Sequence, residues 1–516
     1  MTVIESNDIN FDISVPVAIV GSGAAGLIAA LSLTDLGIAP LVLERDKVPR
    51  GSTGLSSGMI PACGTNIQAQ KGIEDSIELL TSDIVNKAKG QVNLELVDAI
   101  CRTSGPTIDW LVDTHAIELT LVEGFIYPGH SRLRMHAPPS RQGIDLISNL
   151  TLAAEKTEID ILTEAHVKNL YREGNKIIGI GIERPDRSKE KIGCDVLILA
   201  CNGFGGNQEM VKQFIPDMAQ AIYFGHPGNQ GDAINWGKIL DAQMENLGSF
   251  QGHGSVAHPH GILITWALMT EGGIQVNSAG KRFTNEHEGY SEQAVRVIAQ
   301  KQSSAWNIYD HRLHELGLEF EEYREAIKLG AVKTASTIEE LAGILNISRA
   351  GLVSTIKECE DFSSGKQKDV LQRDFTSKPP LEAPYYSIQV TGALFHTQGG
   401  LTVNGHAQVL QKNGEPFPNL LASGGAATGI SGPADWGYLS GNGLLSAVTL
   451  GRIAGQTSAR SPRRNRASPL AATRRSRASS GWSPPARTTS RSTWTPATTT
   501  AARRCTWLRL RGSSTP

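Results

Sequence analysis

Between residues 16 and 46 the chain reads "PVAIVGSGAAGLIAALSLTDLGIAPLVLERD", and no other stretch narrows its fold as far. Gly21, Gly23 and Gly26 stand in G-x-G-x-x-G spacing between a β-type apolar run and an Ala/Leu-rich helical run. Gly21 permits the tight turn, Gly23 lets backbone approach a pyrophosphate at the helix N-terminus, and Gly26 lets helix and strand pack closely. Glu44 closes the next β-type run, eighteen residues after Gly26, where a carboxylate binds both ribose hydroxyls. Strand, turn, helix and acid together predict a dinucleotide site, with Ala24, Ala25 and Arg45 among its contacts. A simple glycine turn would leave Glu44 unexplained.

Composition agrees. Glycine is 54 of 516 residues, about a tenth, against a usual ~7%. The net charge of −2 conceals an uneven distribution: residues 457–516 carry 13 Arg and no Lys, Asp or Glu, and removing those charges leaves −15 on the first 456 residues. An acidic body argues against nucleic-acid binding. Residues 457–516 have no apolar period, and are expected to be a disordered basic tail or the product of a shifted reading frame. Six dispersed cysteines without a CxxC pair argue against a disulfide framework or metal site, and for a reducing cytoplasm. "MTVIESNDINFD" is acidic where a secretion signal needs cations. The apolar stretch around Gly21 is interrupted by Gly-Ser-Gly and reads as strand, turn and helix, so no membrane insertion is expected.

Strand-like and helix-like segments alternate over residues 15–250, which predicts a parallel α/β sheet. Residues 251–395 are more mixed, with helices such as "SRAGLVSTIKECEDF", and read as an inserted α+β cap. Residues 396–456 resume the strand–glycine style and end in the helix "GNGLLSAVTLGRIAGQ". The expected fold is therefore a Rossmann-type α/β domain in two parts, 1–250 and 396–456, with the cap between them.

Several stretches resemble the fumarate reductase and succinate dehydrogenase flavoprotein superfamily over roughly residues 15–456. "GSTGLSSGMI" is similar to the loop that passes along the FAD pyrophosphate and flavin, which implicates Ser52, Thr53, Ser57 and Gly58. Covalently flavinylated members carry a histidine there; none is present, so the resemblance implies non-covalent FAD. "EAHVKNL" resembles the strand whose backbone at Val167 meets the adenine, and "LILACNGFGGN" the glycine turn at Gly203. "EGGIQVNSAGKRFTNE" resembles a cap-domain run, and "FHTQGGLTVN" the segment beside the flavin. "GYLSGNGLLSAVTLGRIAG" resembles the closing helix, with Asn442 at its start and the Leu444 and Leu445 amides near the flavin C2 carbonyl.

The pattern also departs from the family. Fumarate reductases place an arginine proton donor shortly after the Asn-Glu pair, and a second arginine, which clamps a carboxylate, before the Gly-Gly-Asn. Those positions fall on Tyr290 and Tyr438. Two tyrosines there resemble the 3-ketosteroid dehydrogenase branch, in which one abstracts a proton and the other hydrogen-bonds the substrate ketone. Either tyrosine alone would be explained by ordinary packing. Gly425 stands where many relatives hold a glutamate on the ribityl chain. His396 and His258 fall where fumarate reductases hold substrate-polarising histidines. "FIYPGHSRLRMHAPPSRQG" offers Tyr127, Arg134 and His136 for an anionic substrate group, or else forms a solvated basic loop.

Three functions stay open. The first is an FAD-dependent dehydrogenase introducing a C=C bond next to a ketone, of steroid, alicyclic or keto-acid type. The second is a fumarate reductase-like enzyme reducing an enoate, and the third a flavin-binding protein without turnover. With no CxxCH haem motif in the sequence, the electron donor or acceptor is expected to be separate.

Overall fold

The computed structural model describes residues 1–5 and 8–460. Nine strands among these residues form one sheet. Ile13–Val20 lies at its centre, parallel to Pro40–Leu43 on one side and to Lys189–Leu199 on the other. Asp160–Leu162 and Pro416–Ala422 extend this parallel core. Val17, Ala18, Ile19 and Leu197–Leu199 are fully buried, as continuous apolar strands covered on both faces must be.

The sheet is mixed, however, where the alternation predicted a parallel one. His166–Glu173, Lys176–Glu183 and Lys189–Leu199 form an antiparallel meander. Only a turn at Gly174 and residues 184–188 separate them, too few for the crossover that parallel strands need.

The helix after the glycine turn, Ala24–Asp35, packs along the closing helix, Asn442–Arg460. Gly451 and Gly455 make the contact possible: a Cβ on either would stand 2.5 Å from the Ala25 carbonyl oxygen or 2.7 Å from that of Ala29. This backbone-to-backbone contact fixes where the closing helix begins, and hence where Leu444 lies. The helix continues to Arg460, past the tail boundary expected at 457. Residues 461–516, on which the rest of the basic-tail expectation falls, lie outside the described residues.

Seven strands among the described residues form a second sheet, mostly in the cap, with Tyr385–Thr397 between Phe250–Ala257 and Ser304–Asp310 in antiparallel register. The boundary expected at 395/396 falls inside this strand, and Ile222–Tyr223, from the first part, also pairs with it. No described helix is long and apolar enough to cross a membrane. Among the described residues, no cluster of His, Cys, Asp or Glu could hold a metal ion.

Gly451→Leu is expected to lower stability by about 1–3 kcal/mol, the usual cost of overpacking. Denaturant unfolding of the flavin-free protein checks this without involving the cofactor.

Candidate active site

The glycine turn has the strained geometry its spacing predicts. Gly21 has φ +108°, and a Cβ there would meet the Ala200 carbonyl oxygen at 2.4 Å. A Cβ on Gly26 would meet the Gly21 carbonyl oxygen at 1.9 Å, so helix and turn are in direct backbone contact. Thr53 reaches back to the helix, its Oγ1 accepting from the Ala24 N–H at 3.1 Å. Glu44 is buried at the end of its strand and accepts from the Ser22 N–H at 3.1 Å and the Asp46 N–H at 3.0 Å.

Gly21, Thr53 and Glu44 line one continuous groove with Gly23, Ala24, Ala25, Arg45, Ser52, Val167 and Gly425. A cradle of glycines backed by an acidic strand end fits FAD. Gly425 leaves no space for a larger residue, because a Cβ there would stand 2.2 Å from Asn202 Oδ1.

Other residues expected at the cofactor act one layer behind. Gly203 packs its Cα against the Thr397 hydroxyl, Gly58 turns the loop at φ +65°, and Asn442 is fully buried, its Nδ2 donating to Ser431 Oγ at 3.2 Å. The Leu445 amide is spent inside its helix, donating to the Gly441 carbonyl at 2.9 Å. It is therefore not free for a flavin carbonyl, whereas Leu444 does line the cavity.

The groove opens into a second cavity lined by Ser57, Tyr127, His253, Tyr290, His396 and Tyr438. Two elements bring the tyrosines together: Tyr290 opens the cap helix Tyr290–Ile298, and Tyr438 lies just before the closing helix. Their ring centroids are 6.1 Å apart, and Tyr127 stands 6.1 Å from Tyr290 on another side. Burial drives all three phenols upward from their ordinary pKa. Tyr290 feels the Tyr438 hydroxyl as a further unfavourable neighbour, and only the Ser440 hydroxyl pulls it down among its nearest influences. Near neutral pH they are neutral phenols.

His258 is not in this cavity. It is exposed in the turn beyond the Phe250–Ala257 strand, where its N–H donates to the Gln389 carbonyl at 2.9 Å. His253, five residues earlier, stacks on Tyr290 at 4.7 Å and 23°. The signal for it was the pair of glycines beside it: Cβ atoms on Gly252 and Gly254 would each stand 2.7 Å from the Tyr290–Ile298 helix. The Gly-His-Gly run thus lets the helix lie on the strand. His253 Nδ1 accepts from the Ser255 N–H at 3.1 Å, which puts the ring proton on Nε2. Burial holds His253 down to about 3 and His396 to about 4, so both are neutral.

The basic cluster resolves differently from its expected role. Arg134 is fully buried and bound by Asp75, at 2.7 Å, and by Asp83. It faces two carboxylates and does not line the cavity. His136 is also fully buried, with Nε2 2.9 Å from Thr65 Oγ1. Of the three proposed substrate contacts only Tyr127 reaches the cavity. Among the described residues no arginine or lysine lines it, and Glu322 is its one charged side chain. Arg134→Met is expected to cost about 3–5 kcal/mol, because it strands two buried carboxylates; loss of the folded state, measured by thermal melting, should accompany any loss of activity.

Residues 16–444 match the family described as FAD binding domain. The fumarate reductase (cytochrome) of Shewanella frigidimarina is 28% identical over 456 residues, spanning 88% of this chain and 78% of that protein. The structure of an open conformation of a flavocytochrome c3 fumarate reductase aligns with a TM-score of 0.72 at 25% identity, covering 87% of this chain and 78% of that one. A 3-ketosteroid-Δ4-(5α)-dehydrogenase from Rhodococcus jostii RHA1 aligns with a TM-score of 0.70 over 87% of this chain and 98% of that one, and at 22% identity it shares the fold alone. With its glycine cradle, buried acidic strand end and second cavity in place, the chain belongs to the FAD binding domain family of fumarate reductase-like flavoproteins and is an FAD-dependent oxidoreductase acting on CH–CH groups.

Proposed function

We propose that this enzyme reduces a carbon–carbon double bond conjugated to an uncharged carbonyl, with Tyr290 as proton donor and Tyr438 polarising the carbonyl oxygen. The observation that carries this reading is the pair of buried, neutral phenols in a cavity lined by no arginine or lysine among the described residues. When bound and reduced by a separate electron donor, the flavin would supply the hydride; the chain's residues handle the proton and the carbonyl.

The resting protonation state suits proton delivery: burial keeps both phenols neutral, and a Tyr290 that has given its proton is a tyrosinate that solvent reprotonates. Tyr438 is arranged to donate as well: its oxygen accepts from the Gly443 N–H at 3.5 Å, at the N-terminus of the closing helix, leaving its own proton for a substrate oxygen. His253, with its proton on Nε2, offers a second donor from the opposite wall. A dicarboxylate, by contrast, would enter this cavity without a cation to pair with either charge.

A second reading, reduction of an enoate, is favoured by similarity to fumarate reductases and needs the neutral histidines and tyrosines to hold a carboxylate by hydrogen bonds alone. Desaturation of a ketone is the reverse of the first reading and uses the same residues.

The test is anaerobic reoxidation of dithionite-reduced flavin by a panel of cyclic enones and by fumarate. Enones are expected to reoxidise it rapidly, and Tyr290→Phe to slow this by about 10²–10⁴-fold, the usual worth of a general acid. Faster reoxidation by fumarate than by any enone would transfer the proposal to the enoate reading. FAD is further proposed to be non-covalent, so acid precipitation should leave all the flavin in the supernatant; yellow pellets would refute that.

A further inference from the structure

The helix Ile77–Lys87 ends against the two segments that carry the tyrosines. Lys87 Nζ pairs with the Glu292 carboxylate, and donates to the Glu288 carbonyl oxygen at 2.7 Å. These contacts bracket Gly289 and Tyr290 on the cap side. Two residues on, Lys89 Nζ lies 4.4 Å from the ring centre of Trp436, two residues before Tyr438. Gly289 has φ +146°, and a Cβ there would stand 2.6 Å from Glu292 Oε2 and 3.1 Å from Lys87 Nζ. The residue preceding Tyr290 must therefore be glycine for the pair to close over it.

Stability does not explain this pair. The Lys87 and Glu292 side chains are only 12% and 4% exposed, and Glu292 Oε2 has no hydrogen-bond partner. Burial raises the Glu292 carboxyl to about 7, outweighing the pull of Lys87. A buried pair of this kind is commonly replaceable by apolar residues without loss of stability. What the charges supply is a direction: they tie the first turn of the cap helix to the FAD-binding part at one point.

We propose that Lys87 and Glu292 are positioning residues that hold the Gly289–Tyr290 turn so that the Tyr290 phenol faces Tyr438 across the cavity. The inference rests on Tyr290 being the proton donor. The groups facing Glu292 are Lys87 and Asp435, the latter from the 3-10 turn Asp435–Gly437, with Tyr290 on its own helix. Glu292 is charged above about pH 7 and loses its charge below it, so the tie weakens, and turnover falls, as pH drops through 7.

The test uses FAD-loaded protein carrying Lys87→Met, Lys87→Arg, Glu292→Gln or the double change K87M/E292Q. Labelling with fluorotyrosine gives a fluorine resonance for Tyr290, assigned by its absence in Tyr290→Phe. The double variant is expected to melt close to the parent, shift the Tyr290 resonance and leave that of Tyr309, elsewhere in the cap, unmoved. Its turnover with the best alkene of the panel should fall about 10- to 100-fold at unchanged KM, as for a displaced reacting group. Lys87→Arg should restore both readouts, and Glu292→Gln should abolish the fall in rate below pH 7. An unmoved Tyr290 resonance, or equal movement of Tyr309, would overturn the proposal. If the parent turns over no alkene, the functional reading fails, yet the fluorine spectra still decide whether this pair places Tyr290.

Discussion

The reaction side of this molecule depends on how closely one helix lies on one strand. Tyr290–Ile298 rests on Phe250–Ala257 because Gly252 and Gly254 present no side chain to it. That contact stacks His253 on Tyr290 and buries the phenol among Tyr127, Trp266 and Tyr438. Aromatic pairs of this kind contribute about 0.5–1.5 kcal/mol each beyond area burial, enough to hold the ring in one orientation. The same packing removes water from around its hydroxyl. Orientation and protonation state therefore have a common cause, and a looser interface would lose both.

Positive charge is arranged around the cavity, and among the described residues no arginine or lysine lines it. The one buried arginine of the "SRLRMHAPP" stretch, Arg134, is consumed by Asp75 and Asp83, where it ties the Met135–Ala137 strand to two other segments. Lys87 is consumed by Glu292. Both of these cations thus have carboxylate partners behind the wall, and the cavity lining among the described residues is phenol, imidazole, neutral polar groups and apolar carbon, with Glu322 its one charged side chain. Neutral donors polarise a carbonyl without demanding a counter-charge, and in an interior of low dielectric they do so at close to full strength.

The cofactor half of the site was legible because its signals are local. The glycine turn, its helix and Glu44 lie within thirty residues, and their roles follow from backbone geometry that few other residues permit. Tyr290 and Tyr438 were also singled out, since each stands in a recognisable run, and both line the cavity. What the sequence hid was set by distance along the chain. His253 and His258 share one glycine-rich stretch, and only the helix from residue 290 decides which faces inward. Arg134 looked free because its partners lie more than fifty residues away. The antiparallel meander was missed for a simpler reason: three β-rich runs with short connections were absorbed into an alternation that held on either side of them.

Tyrosine at positions 290 and 438, where the resemblance to fumarate reductases implies arginine, need not change the kind of step performed. An arginine carries its charge whatever its surroundings, so it can donate a proton and attract a carboxylate at once. A buried tyrosine separates those tasks: it keeps a proton to give and abandons the attraction. Exchanging both residues removes the charge recognition while leaving two donors in place, one for carbon and one for oxygen. Burial keeps both phenols protonated at rest, and the tyrosinate left when one gives its proton is reprotonated from solvent. The architecture itself rests mainly on the glycine turn, the paired helices and the two sheets.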